Sequence, residues 1–199
     1  MTLATRYSNT KAAAITAADI DAAAAKLDVT PAHIRMVRAV ESGGKSFDDA
    51  GRPVILYEPH VFHKRTGGEW SPSSFSYAAW GARPYPKGYD ARWAQMQDAA
   101  EHNEQAALES ASWGLFQIMG YHWRALGYAS VQEFAKALTK SEGAHLDALV
   151  RFIVANGLAG ALRKCRYRDA ESCRDFARGY NGSGYVRNSY HVKLSEALK

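Results

Sequence analysis

Glu41 and Glu58 are the two side chains whose type and position could carry chemistry together. Glu41 sits in RAVESGG, in the last turn of a helix expected to start at Thr30-Pro31. A helix C-terminus carries partial negative charge, which opposes ionising a carboxylate there. Apolar neighbours such as Val37 and Val40 penalise the charged form further. Both effects raise the pKa. A carboxylic acid still protonated near neutral pH can give its proton to the leaving oxygen of a glycosidic bond. The alternative is an ordinary solvated glutamate that happens to end a helix. Glu58 follows seventeen residues later, at the end of a short β-prone run. A second carboxylate there could activate water or act as a nucleophile, and the distance between the two carboxyls separates those outcomes. Its alternative is a glutamate that hydrogen-bonds a loop. Glu101, Glu104 and Glu109 are weaker rivals on what reads as a solvated helix face.

Two further segments matter: SWGLFQIMG, Ser112 to Gly120, and GYNGSG, Gly179 to Gly184. Together with RAVESGG and ILYEPHVFHKRTGG they form an ordered set. Each alone is weak, but four in order are specific. The set resembles the lysozyme-like superfamily, which includes goose-type lysozymes and lytic transglycosylases. More closely, it is similar to the N-acetylmuramidase family of phage endolysins. The resemblance covers roughly Leu27 to Leu198.

That resemblance implies roles residue by residue. Glu41 matches the catalytic acid, and the family pattern also carries a glutamate at Glu58. Ser112 and Gln117 match the motif that lines the sugar groove. Tyr180 and Asn181 match a Tyr-Asn pair that hydrogen-bonds near the catalytic carboxyl. Amide and hydroxyl groups of this kind suit sugar hydroxyls and N-acetyl groups. Phe62, Tyr121, His122 and Trp123 neighbour the motifs and could stack on sugar faces, although core packing is the commoner fate of any single aromatic. Leu115, Phe116, Ile118 and Met119 read as core.

Other chemistries find little support. His60 and His63 follow Glu58, but Pro59 breaks the helical spacing that a histidine-pair metal site needs. No metal and no cofactor are expected. No nucleophile elbow, phosphate loop or dinucleotide fingerprint occurs. Cys165 and Cys173 could form a disulfide or remain thiols; their spacing does not choose.

The elements that must position these residues are mostly helical. Thr16 with Asp19 makes an N-terminal box for a helix to Asp28. Thr30-Pro31 starts the helix that carries Glu41, which should stop at Ser42-Gly43-Gly44. Val54 to Tyr57 is a short β run ended by Pro59. Residues 66–90 are rich in Gly, Pro, Ser and aromatics and read as an irregular loop. Helical pattern resumes near Asp90. Ser130 with Glu133 caps a further helix, Asn156-Gly157 ends one over 141–155, and Asp169 can cap a segment to Tyr180. A last helix is expected within 186–198. The fold class is therefore mainly α (α+β), and the resemblance implies a lysozyme-like fold with a small β element flanking the cleft. Residues 1–26 are expected to be a helical lead-in to the same domain, and 27–199 the catalytic domain.

The chain has 199 residues and a net charge of +5. Nine Lys or Arg against four Asp or Glu fall between Ala161 and Lys199, so this segment carries the whole excess. A basic surface suits an anionic envelope or glycan, and Arg163, Lys164, Arg166 and Arg168 are candidates for it. No nucleic-acid reading motif accompanies the charge. Asp19 and Asp21 interrupt the alanine-rich stretch that an export signal would need, and no apolar run is long enough to span a membrane. A monomer is expected, made in a host cytoplasm and reaching the wall through a holin. The expected reaction is hydrolysis of the β-1,4 bond between N-acetylmuramic acid and N-acetylglucosamine. The rivals are a lytic transglycosylase and a non-catalytic wall or nucleic-acid binder.

Overall fold

Local capping chemistry sets several of the helix starts in the computed structural model, which describes residues 1–41 and 45–199. A short helix, α1 (Leu3–Arg6), precedes α2 (Ala17–Leu27). The Thr16 hydroxyl accepts from the Asp19 N–H, and the Asp19 carboxylate accepts from the Thr16 N–H, so both members of the box are present. Helix α3 (Pro31–Glu41) begins at the proline whose missing N–H costs nothing in a first turn. The expected stop at Ser42-Gly43-Gly44 lies outside the described residues. Strand β1 (Ile55–Tyr57) leads through Glu58 into α4 (Pro59–Arg65). An irregular stretch follows, as its composition predicts, and then the long helix α5 (Tyr89–Glu109).

Strands β2 (Ala111–Trp113) and β3 (Ile118–Met119) complete an antiparallel sheet of order β1-β2-β3. Leu56 pairs with Ser112, and Ser112 pairs with Met119. The segment read as a sugar-lining motif is thus a hairpin at the sheet's centre. After it come α6 (Val131–Leu138), α7 (Glu142–Ala155), α8 (Ala159–Lys164), α9 (Arg174–Asn181) and α10 (Tyr190–Ala197). Ser130 caps α6 through the Glu133 N–H, and Asn156 closes α7, as expected. The outcome is a mainly helical fold with one small antiparallel sheet, in agreement with the expected class.

One hydrophobic core joins these parts. Ile34, Met36 and Val37 of α3 are wholly buried, as are Phe134 of α6, Leu149 of α7 and Phe176 of α9. The N-terminal residues Leu3, Tyr7 and Ile20 belong to the same core. Tyr7 and Trp93 each meet Trp113 edge-on, with ring centroids 5.9 Å (Tyr7–Trp113) and 5.7 Å (Trp93–Trp113) apart. Such contacts add about 0.5–1.5 kcal/mol each beyond area burial. They clamp β2 against α5.

A buried histidine holds the hairpin. His145 Nδ1 accepts from the Leu115 N–H at 3.1 Å, and its Nε2 donates to the Leu138 carbonyl at 2.7 Å. Burial pushes its pKa down to about 4, so it stands neutral in the tautomer these bonds require. Gly114, at φ 67°, lets the chain turn against that ring; a Cβ there would meet the imidazole at 2.8 Å. Gly120 is equally constrained, because a Cβ would overlap the Leu108 carbonyl oxygen.

Cys165 and Cys173 are both buried and both free thiols. Among the described residues no helix is long and apolar enough to cross a membrane, and no group of three metal-ligating side chains occurs.

Candidate active site

Helix α3 delivers Glu41 at its last turn, and α10 packs across α3 to meet it. The Tyr190 hydroxyl donates to Glu41 Oε1 at 2.5 Å. Burial raises the Glu41 pKa from 4.5 to about 7, and the bond from Tyr190 opposes that rise. At neutral pH a large fraction of this carboxyl is therefore protonated, which is the state a proton donor needs. Tyr190 itself is pushed well above the usual phenol range, first by burial, so it remains a donor.

A stack of rings fixes Tyr190. Its ring lies 6.0 Å from Tyr180 at an interplanar angle of 14°. Tyr180 in turn stacks on Phe176 at 5.5 Å and meets Phe152 edge-on at 5.5 Å. The Tyr180 hydroxyl donates to the Phe116 carbonyl at 2.9 Å, joining α9 to the hairpin. Tyr180 thus hydrogen-bonds beside the carboxyl, and the donor to Glu41 itself is Tyr190. Tyr180 supports Tyr190 from behind, and Asn181 is exposed at the end of α9.

The hairpin residues Ser112 and Gln117 are tied to each other. The Ser112 hydroxyl donates to Gln117 Oε1 at 2.8 Å, and Gln117 Nε2 donates to the Gly114 carbonyl at 2.7 Å. Gln117 holds a left-handed backbone at φ 47°, which its own side-chain bond across the turn helps to stabilise. The pair shapes the hairpin and passes its position on to Phe116 and Tyr180.

Glu58 occupies a different electrostatic setting. It precedes α4, where the helix N-terminus favours negative charge, and its backbone N–H donates to the Ser110 carbonyl at 2.8 Å. The Tyr85 hydroxyl lies within hydrogen-bond reach of both carboxylate oxygens, at 2.9 and 2.8 Å, and His60 Nδ1 lies 3.3 Å from Oε2. Burial raises the Glu58 pKa and Tyr85 pulls it back. One carboxyl thus ends a helix and the other precedes one. Helix dipoles favour the acid form at Glu41 and the charged form at Glu58, a division that suits an acid and its complementary carboxylate. Sheet, hairpin and ring stack form one continuous chain of contacts between them, running β1, β2, Phe116, Tyr180, Tyr190.

Two expectations need correction. Phe62 is wholly buried, with Tyr57, Trp70 and Phe75 rings 5.8–6.3 Å away. The irregular loop supplies that cover, so Phe62 presents no face to a sugar. Glu109 does not lie on a solvated face. It is 5 % exposed, accepts from Trp123 Nε1 at 2.8 Å and pairs with Arg65. Tyr121 fares differently: its side chain is 40 % exposed beside His122. Of the basic residues, Arg163 is engaged internally. It donates to the Asp28 and Leu27 carbonyls and pairs with Asp28, closing the end of α2, although it is exposed like Lys164, Arg166 and Arg168. Tyr190 and Tyr85, the donors to the two carboxylates, carry no motif that would single them out for these roles.

Comparison with known proteins agrees with this architecture. The model of the family described as N-acetylmuramidase matches residues 30–199. The crystal structure of the Burkholderia AP3 phage endolysin superposes with a TM-score of 0.80 at 39% identity, covering 92% of this chain and 69% of that one. No curated protein matches the chain. With Glu41 and its tyrosine held on the matched scaffold, the chain belongs to the N-acetylmuramidase family and, with it, to the glycoside hydrolases that act on peptidoglycan.

Proposed function

We propose that the protein is an endolysin that hydrolyses the β-1,4 bond between N-acetylmuramic acid and N-acetylglucosamine, with Glu41 as general acid. The observation that carries this reading is the partly buried Glu41 carboxyl, held by the Tyr190 hydroxyl on an N-acetylmuramidase scaffold, where desolvation raises its pKa to about 7. Glu41 protonates the bridging oxygen as the C–O bond to the muramic acid sugar lengthens. An oxocarbenium-like state develops on that sugar. Glu58, held by the Tyr85 hydroxyl, assists the water that attacks it. Ser112, Gln117 and Asn181 contribute to holding the glycan strand, and Tyr121 stands at the edge of the site. Likeness to a phage endolysin supports a role in host lysis, with holin-dependent release to the wall. The exposed basic residues near Lys164 supply attraction to the anionic envelope.

Mass spectrometry of digested peptidoglycan tests this. Hydrolysis leaves a reducing muramic acid end. A 1,6-anhydro end would mean that the substrate's own hydroxyl had replaced water, and the protein would be a lytic transglycosylase.

A further inference from the structure

A polar groove of about 850 Å³ opens beside α4, lined by His60, Lys64, Arg65, Asn103, Glu109 and Tyr121 among others. It adjoins the candidate site at two points. His60 Nδ1 lies 3.3 Å from Glu58 Oε2. On the other side, the ring stack from Tyr190 and Tyr180 continues through Phe152 and His122 to Tyr121, whose ring lies 4.4 Å from that of His122.

The groove is built around a fixed cation. Arg65 Nε donates to Glu109 Oε2 at 2.5 Å and Nη2 pairs with the same oxygen. The other oxygen of Glu109 accepts from Trp123 Nε1 and, at 3.1 Å, from Gln105 Nε2. Glu109 is thus saturated, and its charge is spent on orienting the guanidinium. Arg65 also stands over the Tyr121 ring, 5.7 Å from its centroid. Edge and face are both held, and the remaining guanidinium N–H groups have no acceptor among the described residues. Lys64 is exposed in the same groove and enters no ion pair among the described residues. Across from them α5 is broken. Asn103 leaves helical geometry at φ −152° and ψ 96°, and its Oδ1 accepts from the Ala106 N–H at 2.9 Å, starting the helix anew.

A pre-oriented guanidinium with a satisfied counter-anion, beside an exposed lysine, suits a carboxylate ligand. A stacked sugar fits less well, because Arg65 already covers one face of Tyr121. We infer that this groove is a subsite for the carboxylate-bearing stem peptide that peptidoglycan carries on its muramic acid residues. The assignment rests on the muramidase reading for its substrate. The groove's position fits that substrate: it starts at His60, 3.3 Å from Glu58, so a muramic acid sugar beside Glu58 would have the groove at hand for its lactyl-linked peptide, and its volume accommodates a short peptide.

Calorimetric titration tests it with ligands that contain no scissile bond. One ligand is a soluble N-acetylmuramyl tripeptide, and the other is N-acetylmuramic acid without peptide, its lactyl carboxyl capped as the methylamide so that it carries no negative charge. The intact protein should bind the tripeptide compound about tenfold or more tighter. Lys64→Glu, at an exposed and unpaired position, should abolish the difference while leaving binding of the bare sugar unchanged. Arg65→Lys, which keeps the charge beside Glu109 but loses the fork, should reduce it. Equal binding of the two ligands, or a Lys64→Glu protein that still prefers the peptide, would overturn the assignment. Since nothing is cleaved, these outcomes stand apart from any failure of the hydrolytic reading.

Discussion

The Tyr190 hydroxyl meets Glu41 Oε1 at 2.5 Å across 149 residues of sequence. This bond ties the last helix to the proposed acid and opposes the rise in pKa that burial causes. Burial lifts the Glu41 pKa; the tyrosine holds it near 7. Activity that needs protonated Glu41 must fall as pH rises through that value. Tyr190→Phe keeps the ring stack and removes the donor. It should raise the Glu41 pKa further and move the alkaline limb of kcat/KM to higher pH by about one pH unit. A limb that stays in place would show that Tyr190 does not tune the acid.

Glu58 offers a separate test. If it assists the attacking water, Glu58→Gln should lower kcat by about a hundredfold or more. Tyr85→Phe removes the donor that pulls the Glu58 pKa down, so the acid limb of the profile should move to higher pH. A Glu58→Gln protein within about threefold of the parent would leave Glu41 as the sole working carboxyl, since general-base help is worth far more than that.

Stability reports on Glu41 without any substrate. Its folded pKa, about 7, lies above the ordinary value of 4.5. The native state therefore keeps a proton that the unfolded chain releases. The associated stability is fully present below pH 4.5 and is lost as pH rises through 7. Glu41→Gln removes this dependence and leaves an acceptor for Tyr190. The variant should be more stable than the parent by about 2–3 kcal/mol at pH 8, with the gap closing toward pH 4. Denaturant titrations at the two pH values measure it. A gap that does not change with pH would contradict the raised value.

The basic segment separates surface charge from internal capping. Lys164→Glu with Arg166→Glu should weaken binding to isolated cell walls about tenfold at low salt, and the effect should shrink as salt screens it. Wall binding that is unchanged at low salt would end the envelope role. Arg163→Glu should instead cost folding stability, because Arg163 closes the end of α2.

What was legible in the chain was what is local. The Thr16–Asp19 box, Pro31, Ser130 and Asn156 mark helix ends through neighbours a few residues away, and the structure has them where the pattern predicts. The short β run before Glu58 was readable for the same reason. Its partners were not, because β2 and β3 are brief and acquire strand geometry only by pairing, β2 with β1 across 56 residues and β3 with β2 in a short hairpin. The same limit governs the site. Glu41 and Glu58 stand in recognisable motifs, but their donors Tyr190 and Tyr85 come from distant segments without periodic or motif signals. Glu109 reads as solvated from its helix alone; Arg65 and Trp123 bury it. Phe62 looks available beside a motif until the irregular loop folds over it.

The central claim is that the Glu41 proton drives cleavage. Release of soluble fragments from purified peptidoglycan, followed at pH 6 with folded Glu41→Gln protein, tests it most directly. The account predicts a rate at least about a hundredfold below that of the parent. Solubilisation at the parental rate would contradict it.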